Sequence, residues 1–91
     1  MALRKEENYN LQFGLKLKEL RENLMDASKS RQEFIDRASE DFFNGQDWIS
    51  LKSLTNYEAG KNIPNLVTSK KLAIALQIEF AEFIRHVEDL I

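Results

Sequence analysis

Residues 53–64 read SLTNYEAGKNIP. Leu54 and Tyr57, three apart, fall on one face of a short helix, and Glu58 sits in its last turn. Gly60 ends that helix, Lys61 charges the turn, and Pro64, the one proline in the chain, blocks continuation. Asn65 follows at once and has the chemistry of a helix cap. The stretch therefore joins two short helices through a tight, charged, glycine-containing turn.

Working outward, Ser50 caps the helix before the turn, from Leu51 to about Ala59, which buries Leu54 and Tyr57. Beyond the turn one helix runs from Leu66 to Leu76. A last one runs from about Phe80 to Leu90 and buries Phe80, Phe83, Ile84 and Val87. Upstream, Ser30 and Glu33 have capping-box spacing, so a helix starts at Arg31 and buries Phe34, Ile35 and Ala38. Residues 39–48, SEDFFNGQDW, are less regular. Either Ser39 caps a separate short helix or the preceding helix continues to Phe43, with Asn44-Gly45 as a left-handed stop. The first helix runs from Tyr9 or Leu11 to Met25, capped by Asn8 or Asn10. Its Phe13, Leu17, Leu20 and Leu24 are spaced on one face. Strand-like alternation is absent, so the expected fold is a compact all-α domain of five helices over residues 9–91, preceded by a charged tail at 1–8.

Ninety-one residues make one domain, and a 43% hydrophobic share is enough for a real core. With no cysteine, neither disulfides nor thiolate metal sites hold the fold, which fits a reducing interior. The start, MALRKEENYN, has no signal-peptide core, and no apolar run approaches the roughly 20 residues of a membrane span. The expectation is a cytoplasmic protein with no membrane contact.

The net charge of −2 is unevenly spread. Residues 50–71 hold Lys52, Lys61, Lys70 and Lys71 against Glu58, a local +3. Residues 36–49 and 72–91 each sum to −3. Positive charge thus gathers where the third helix offers polar residues that do no core work: Ser50, Lys52, Ser53, Thr55 and Asn56. Such a helix can bury one face and present the other to a DNA major groove, while the following turn offers amides and Lys61 to an anion.

The segment ISLKSLTNYEAGKNIPNLVTSKKLAIALQIEFAEFI, residues 49–84, resembles the Cro/repressor-type (XRE) helix-turn-helix domains. The likeness lies in the opening of the recognition helix, the apolar-x-x-apolar-Glu-x-Gly pattern with its proline, and the Leu-Ala-x-x-Leu helix after it. FGLKLKELRE, residues 13–22, is similar to the first helix of that family. The resemblance implies a lambda-repressor-like fold with a lengthened connection between the second and third helices. It implies base contacts from Leu51, Lys52, Thr55 and Asn56, and phosphate contacts from Arg31, Ser50, Lys61 and Asn62. It also implies a structural ion pair between Arg21 and Glu58. The function it implies is transcriptional regulation, as a repressor, by a homodimer on a pseudo-palindromic double-stranded operator.

This chain departs from the pattern in three places. Ser30 arrives about three residues late, Arg31 stands where glutamine is common, and the gap from Phe34 to Ile49 is roughly nine residues longer, acidic and aromatic. Against the DNA roles stand plainer ones: Leu51 can pack, the other helix residues can be ordinary surface, and Lys61 and Asn62 can be solvated turn residues. Lys70 and Lys71 read as a wetted helix face. Trp48, with Phe42 and Phe43, is either core or a partner-binding patch, and a small domain's need for core favours the former. His86, the one histidine, reads as a surface residue in the last helix. No arrangement of nucleophile, base or phosphate loop supports an enzyme, and none implies a cofactor or metal. The rival to DNA binding is a protein-interaction module, such as an antitoxin or anti-repressor partner, using the acidic aromatic insertion.

Overall fold

A computed structural model describes residues 2–24 and 30–88, with side chains described over 10–24 and 30–86. Among the described residues the fold is all-α: α1 (Ala2–Glu22), α2 (Arg31–Phe42), α3 (Leu51–Glu58), α4 (Leu66–Ala75) and α5 (Phe80–Glu88), with no strand. No described helix is long and apolar enough to cross a membrane.

The caps define the helix starts. Ser30 accepts the Glu33 N–H at 3.1 Å, Ser50 accepts that of Ser53 at 3.0 Å, and Asn65 accepts that of Thr68 at 2.8 Å. Each removes one orphan donor from a first turn. At Ser30 the hydroxyl also donates to the Glu33 carboxylate at 3.1 Å, a variant of the capping box.

Two expectations need correction, and one open alternative is decided. α1 begins at Ala2, several residues before Tyr9, and Asn8 and Asn10 lie inside it rather than capping it. Residues 2–7, ALRKEE, are good helix formers and contain no breaker, so nothing stops the helix from extending. α1 also ends at Glu22, short of the expected Met25, with Asn23 in a turn; Met25 itself, the expected end of the last helix at Leu90 and the side chain of Val87 lie outside the described residues. Of the two alternatives at residues 39–48, the structure takes the second: α2 continues to Phe42, with Phe43 as its C-cap, and the Ser39 hydroxyl donates to the Gln46 carbonyl at 2.6 Å. The stop is left-handed at both Asn44 (φ 57°) and Gly45 (φ 76°), and the Gly45 N–H returns to the Ser39 carbonyl at 2.8 Å. The second correction is at Ile84, expected buried and found 39% exposed. The inward stripe of α5 is Phe80 and Phe83, and Ile84 lies about 100° round the helix from Phe83.

The core joins Phe13 and Leu17 of α1, Phe34, Ile35 and Ala38 of α2, Leu54 of α3, Leu72, Ala73 and Ala75 of α4, and Phe83 of α5. Phe13 and Phe83 meet edge to face with ring centroids 6.1 Å apart. Leu20, Leu24, Tyr57 and Phe80 pack around that centre, partly buried.

Residues 43–50 connect α2 to α3 and fold back onto α2. Trp48 is only 8% exposed. Its indole N–H donates to the Ile35 carbonyl at 3.0 Å, and its ring stacks on Phe43 at 5.0 Å and meets Phe34 at 5.9 Å. Of the three aromatic residues in the insertion, Trp48 is therefore core and Phe43 covers it, while Phe42 is 42% exposed.

Candidate functional site

α3 sits on α1, and the two backbones come unusually close. A Cβ built on Gly14 would lie 2.5 Å from the Glu58 carbonyl oxygen and 2.6 Å from that of Tyr57. A Cβ on Gly60 would lie 2.8 Å from the Leu11 Cα, and Gly60 has φ 77°. Both positions require glycine, the first for space and the second for space and handedness. The Lys61 N–H closes the turn on the Asn56 carbonyl at 2.9 Å.

Beside this crossing lies a buried charge cluster. Arg21 donates to Glu58 through Nε at 2.7 Å and Nη2 at 3.0 Å, a side-on fork between side chains 3% and 1% exposed. Arg31, in the first turn of α2, donates from Nε to the same carboxylate at 2.8 Å and is 34% exposed. One carboxylate thus ties α1, α2 and α3 together. The Arg21 Nη1 is buried with no hydrogen-bond acceptor.

The fork and the crossing leave α3 one free face. Leu54, Tyr57 and Glu58 point inward. At about 100° per residue, Lys52 and Asn56 lie opposite them, one turn apart. Lys52 is exposed and Asn56 half-buried. Leu51, 46% exposed, and Thr55 border that face, and the Thr55 hydroxyl donates back to the Leu51 carbonyl at 2.8 Å. Ser50 is occupied as the cap of α3, and its hydroxyl donates to the Ser53 Oγ at 2.9 Å. Lys61 and Asn62 are exposed in the turn that follows.

The eight expected contact residues therefore fall into two sets. Lys52, Asn56, Lys61, Asn62 and Leu51 lie on or beside the outward side of α3 and its turn. Arg31, Ser50 and Thr55 each spend a polar group on the protein itself. Two features carry weight that the sequence reading did not assign: the second arginine on Glu58 and the contact at Gly14. A lone glycine inside the Phe13–Leu17 stripe was the available signal for the second. The described residues hold no group of His, Asp and Glu able to bind a metal ion. His86 lies 3.9 Å from Glu82 on the surface of α5.

No protein-family model matches the chain, and no curated protein or solved structure matches it.

Proposed function

We propose that the chain is a sequence-specific double-stranded-DNA-binding regulator of the Cro/repressor (XRE) type, cytoplasmic, acting as a homodimeric repressor on a pseudo-palindromic operator. The observation that carries this reading is the setting of α3. It is an eight-residue helix held on its inner side by the Gly14 crossing and the Arg21–Glu58–Arg31 cluster, with Lys52 and Asn56 on its outer face. A helix so fixed can present those side chains to base edges without losing much freedom on binding. Lys suits guanine and Asn suits adenine. Lys61 and Asn62 follow in the turn, where backbone-phosphate contacts set register. The local +3 over residues 50–71, in a chain of net charge −2, supports the same face. A dimer follows because one short helix reads too few bases for useful specificity.

Trp48 is spent on the core and Phe43 packs over it, so the insertion offers a partner mainly its acidic side chains rather than an exposed aromatic patch.

The test separates base reading from phosphate contact. On a site selected from random sequence, Asn56→Ala should lose about 1–3 kcal/mol, with little change on scrambled DNA. Lys61→Ala should weaken both DNAs alike and lower the salt slope by about 1. Equal behaviour of the two variants would remove the division of labour, and a wild-type chain that binds no DNA at low salt would refute the reading.

A further inference from the structure

The long connector builds something a tight turn could not: an open groove of about 390 Å³ between itself and α2. That volume lies within the roughly 300–1,000 Å³ range of ligand-binding clefts. Ile35, Trp48, Ile49 and Leu51 give it apolar lining, and two carboxylates also line it, Asp36 from α2 and Asp47 from the connector. Ile35 and Trp48 are buried, Ile49 is half-buried, and Leu51 is exposed. Asp36 is held by the Gln32 amide at 2.8 Å, and Glu33 and Glu40 lie beside it along α2 with Arg37 among them.

We propose that this groove docks a basic segment of a partner protein, seating an arginine or lysine with its alkyl stem on the Trp48–Ile49–Leu51 lining and its cationic head between Asp36 and Asp47. Charge complementarity selects the occupant. Residues 36–49 sum to −3, with Arg37 as the one basic residue among them, and Arg37 pairs with Asp41 at 3.9 Å. Long cationic side chains are the ones that combine an apolar body with a charged tip, which is the pattern this groove presents in reverse. The groove also has more room than one side chain fills, so neighbouring residues of the segment can follow the acidic face of α2. The proposal is independent of DNA binding, and a chain that failed every DNA assay would leave it standing.

Trp48 is the one tryptophan in the chain and lines the groove, so its emission reports occupancy directly. The probe is acetylated hexa-arginine amide, titrated into the intact chain at low salt and followed by fluorescence and calorimetry. The expected result is a saturable change in Trp48 emission at one peptide per chain. Asp36→Asn and Asp47→Asn, checked for native circular dichroism, should each weaken it about two- to fivefold, the range for exposed charge pairs. Glu82→Gln, on α5, should leave it unchanged. No saturable change, or equal weakening by Glu82→Gln, would overturn the proposal. Spermidine binding as tightly as the peptide would also overturn it, replacing the protein segment with a small polyamine.

Discussion

Truncating Glu58 is the perturbation with the largest expected consequence. The carboxylate takes three charged hydrogen bonds, two from Arg21 and one from Arg31, and its side chain is 1% exposed. Glu58→Ala leaves the Arg21 guanidinium buried with its Nε and Nη2 donors unpaired, joining an Nη1 that already has no acceptor. Breaking a buried pair from one side costs about 3–5 kcal/mol. A 91-residue domain has about 5–14 kcal/mol in total at the usual 0.05–0.15 per residue, so the variant should stand near the edge of folding. Arg31→Ala should cost about 1 kcal/mol or less, because Arg31 is a third exposed and Glu58 keeps its fork with Arg21.

The two arginines make the cluster asymmetric. Arg21→Met should cost less than Glu58→Ala, since Arg31 still compensates the carboxylate, and Arg21→Met with Glu58→Leu should cost less than Glu58→Ala alone. Urea unfolding of the four variants at two salt concentrations measures the order, with an unchanged m-value required for the comparison. A Glu58→Ala cost no greater than that of Arg31→Ala would refute the reasoning, because it would mean that Arg21 is not held as a buried charge by Glu58.

Gly14→Ala should destabilise by about 1–3 kcal/mol despite alanine's better helix propensity, since the new methyl meets the Tyr57 and Glu58 carbonyls, which cannot swing aside; chemical denaturation decides the sign. Trp48→Ala should cost about 3–5 kcal/mol by thermal or urea unfolding. The wild-type emission should be blue-shifted and poorly quenched by iodide, as expected for a ring 8% exposed. Trp48→Phe keeps an aromatic ring but leaves the Ile35 carbonyl without its indole donor, so it should cost about 1–3 kcal/mol.

Much of the fold was legible because its signals are local. Ser30, Ser50 and Asn65 act through a backbone N–H three residues away, and Gly45 and Gly60 act through their own φ angles, so each cap or stop can be read without tertiary structure. The misreadings are of a different kind. The early start of α1 follows from good helix formers that the hydrophobic stripe, beginning at Phe13, does not mark. Ile84 fits a helical stripe but stays 39% exposed among the described residues, which periodicity alone cannot reveal. At Ser39, where capping and helix continuation both stayed open in the sequence, the hydroxyl goes to Gln46, seven residues on, because the connector folds back.

The site was half legible for the same physical reason. The amphipathic pattern of α3 assigns its inner residues and, by elimination, puts Lys52 and Asn56 outside. What it cannot assign is the use of Arg31. From sequence, an arginine in the first turn of a helix reads as an anion ligand; in the fold its Nε is turned inward, onto a carboxylate 27 residues away. That contact needs α1, α2 and α3 to have met already. It also changes what Arg31 can do for a nucleic acid. Anchored through Nε, the guanidinium has its Nη groups left to offer, and any phosphate they bind draws on the same residue that helps hold α3 in place. Arg31→Lys separates these two uses. A lysine keeps the charge but carries all its donors on one nitrogen, without the separated Nε and Nη groups that let arginine hold Glu58 on one side and a phosphate on the other. If the anchored geometry serves DNA binding, Arg31→Lys should leave stability within about 1 kcal/mol of wild type and still weaken selected and scrambled DNA alike. Affinity that follows stability instead, with Arg31→Lys binding DNA as well as wild type, would confine Arg31 to the structural cluster.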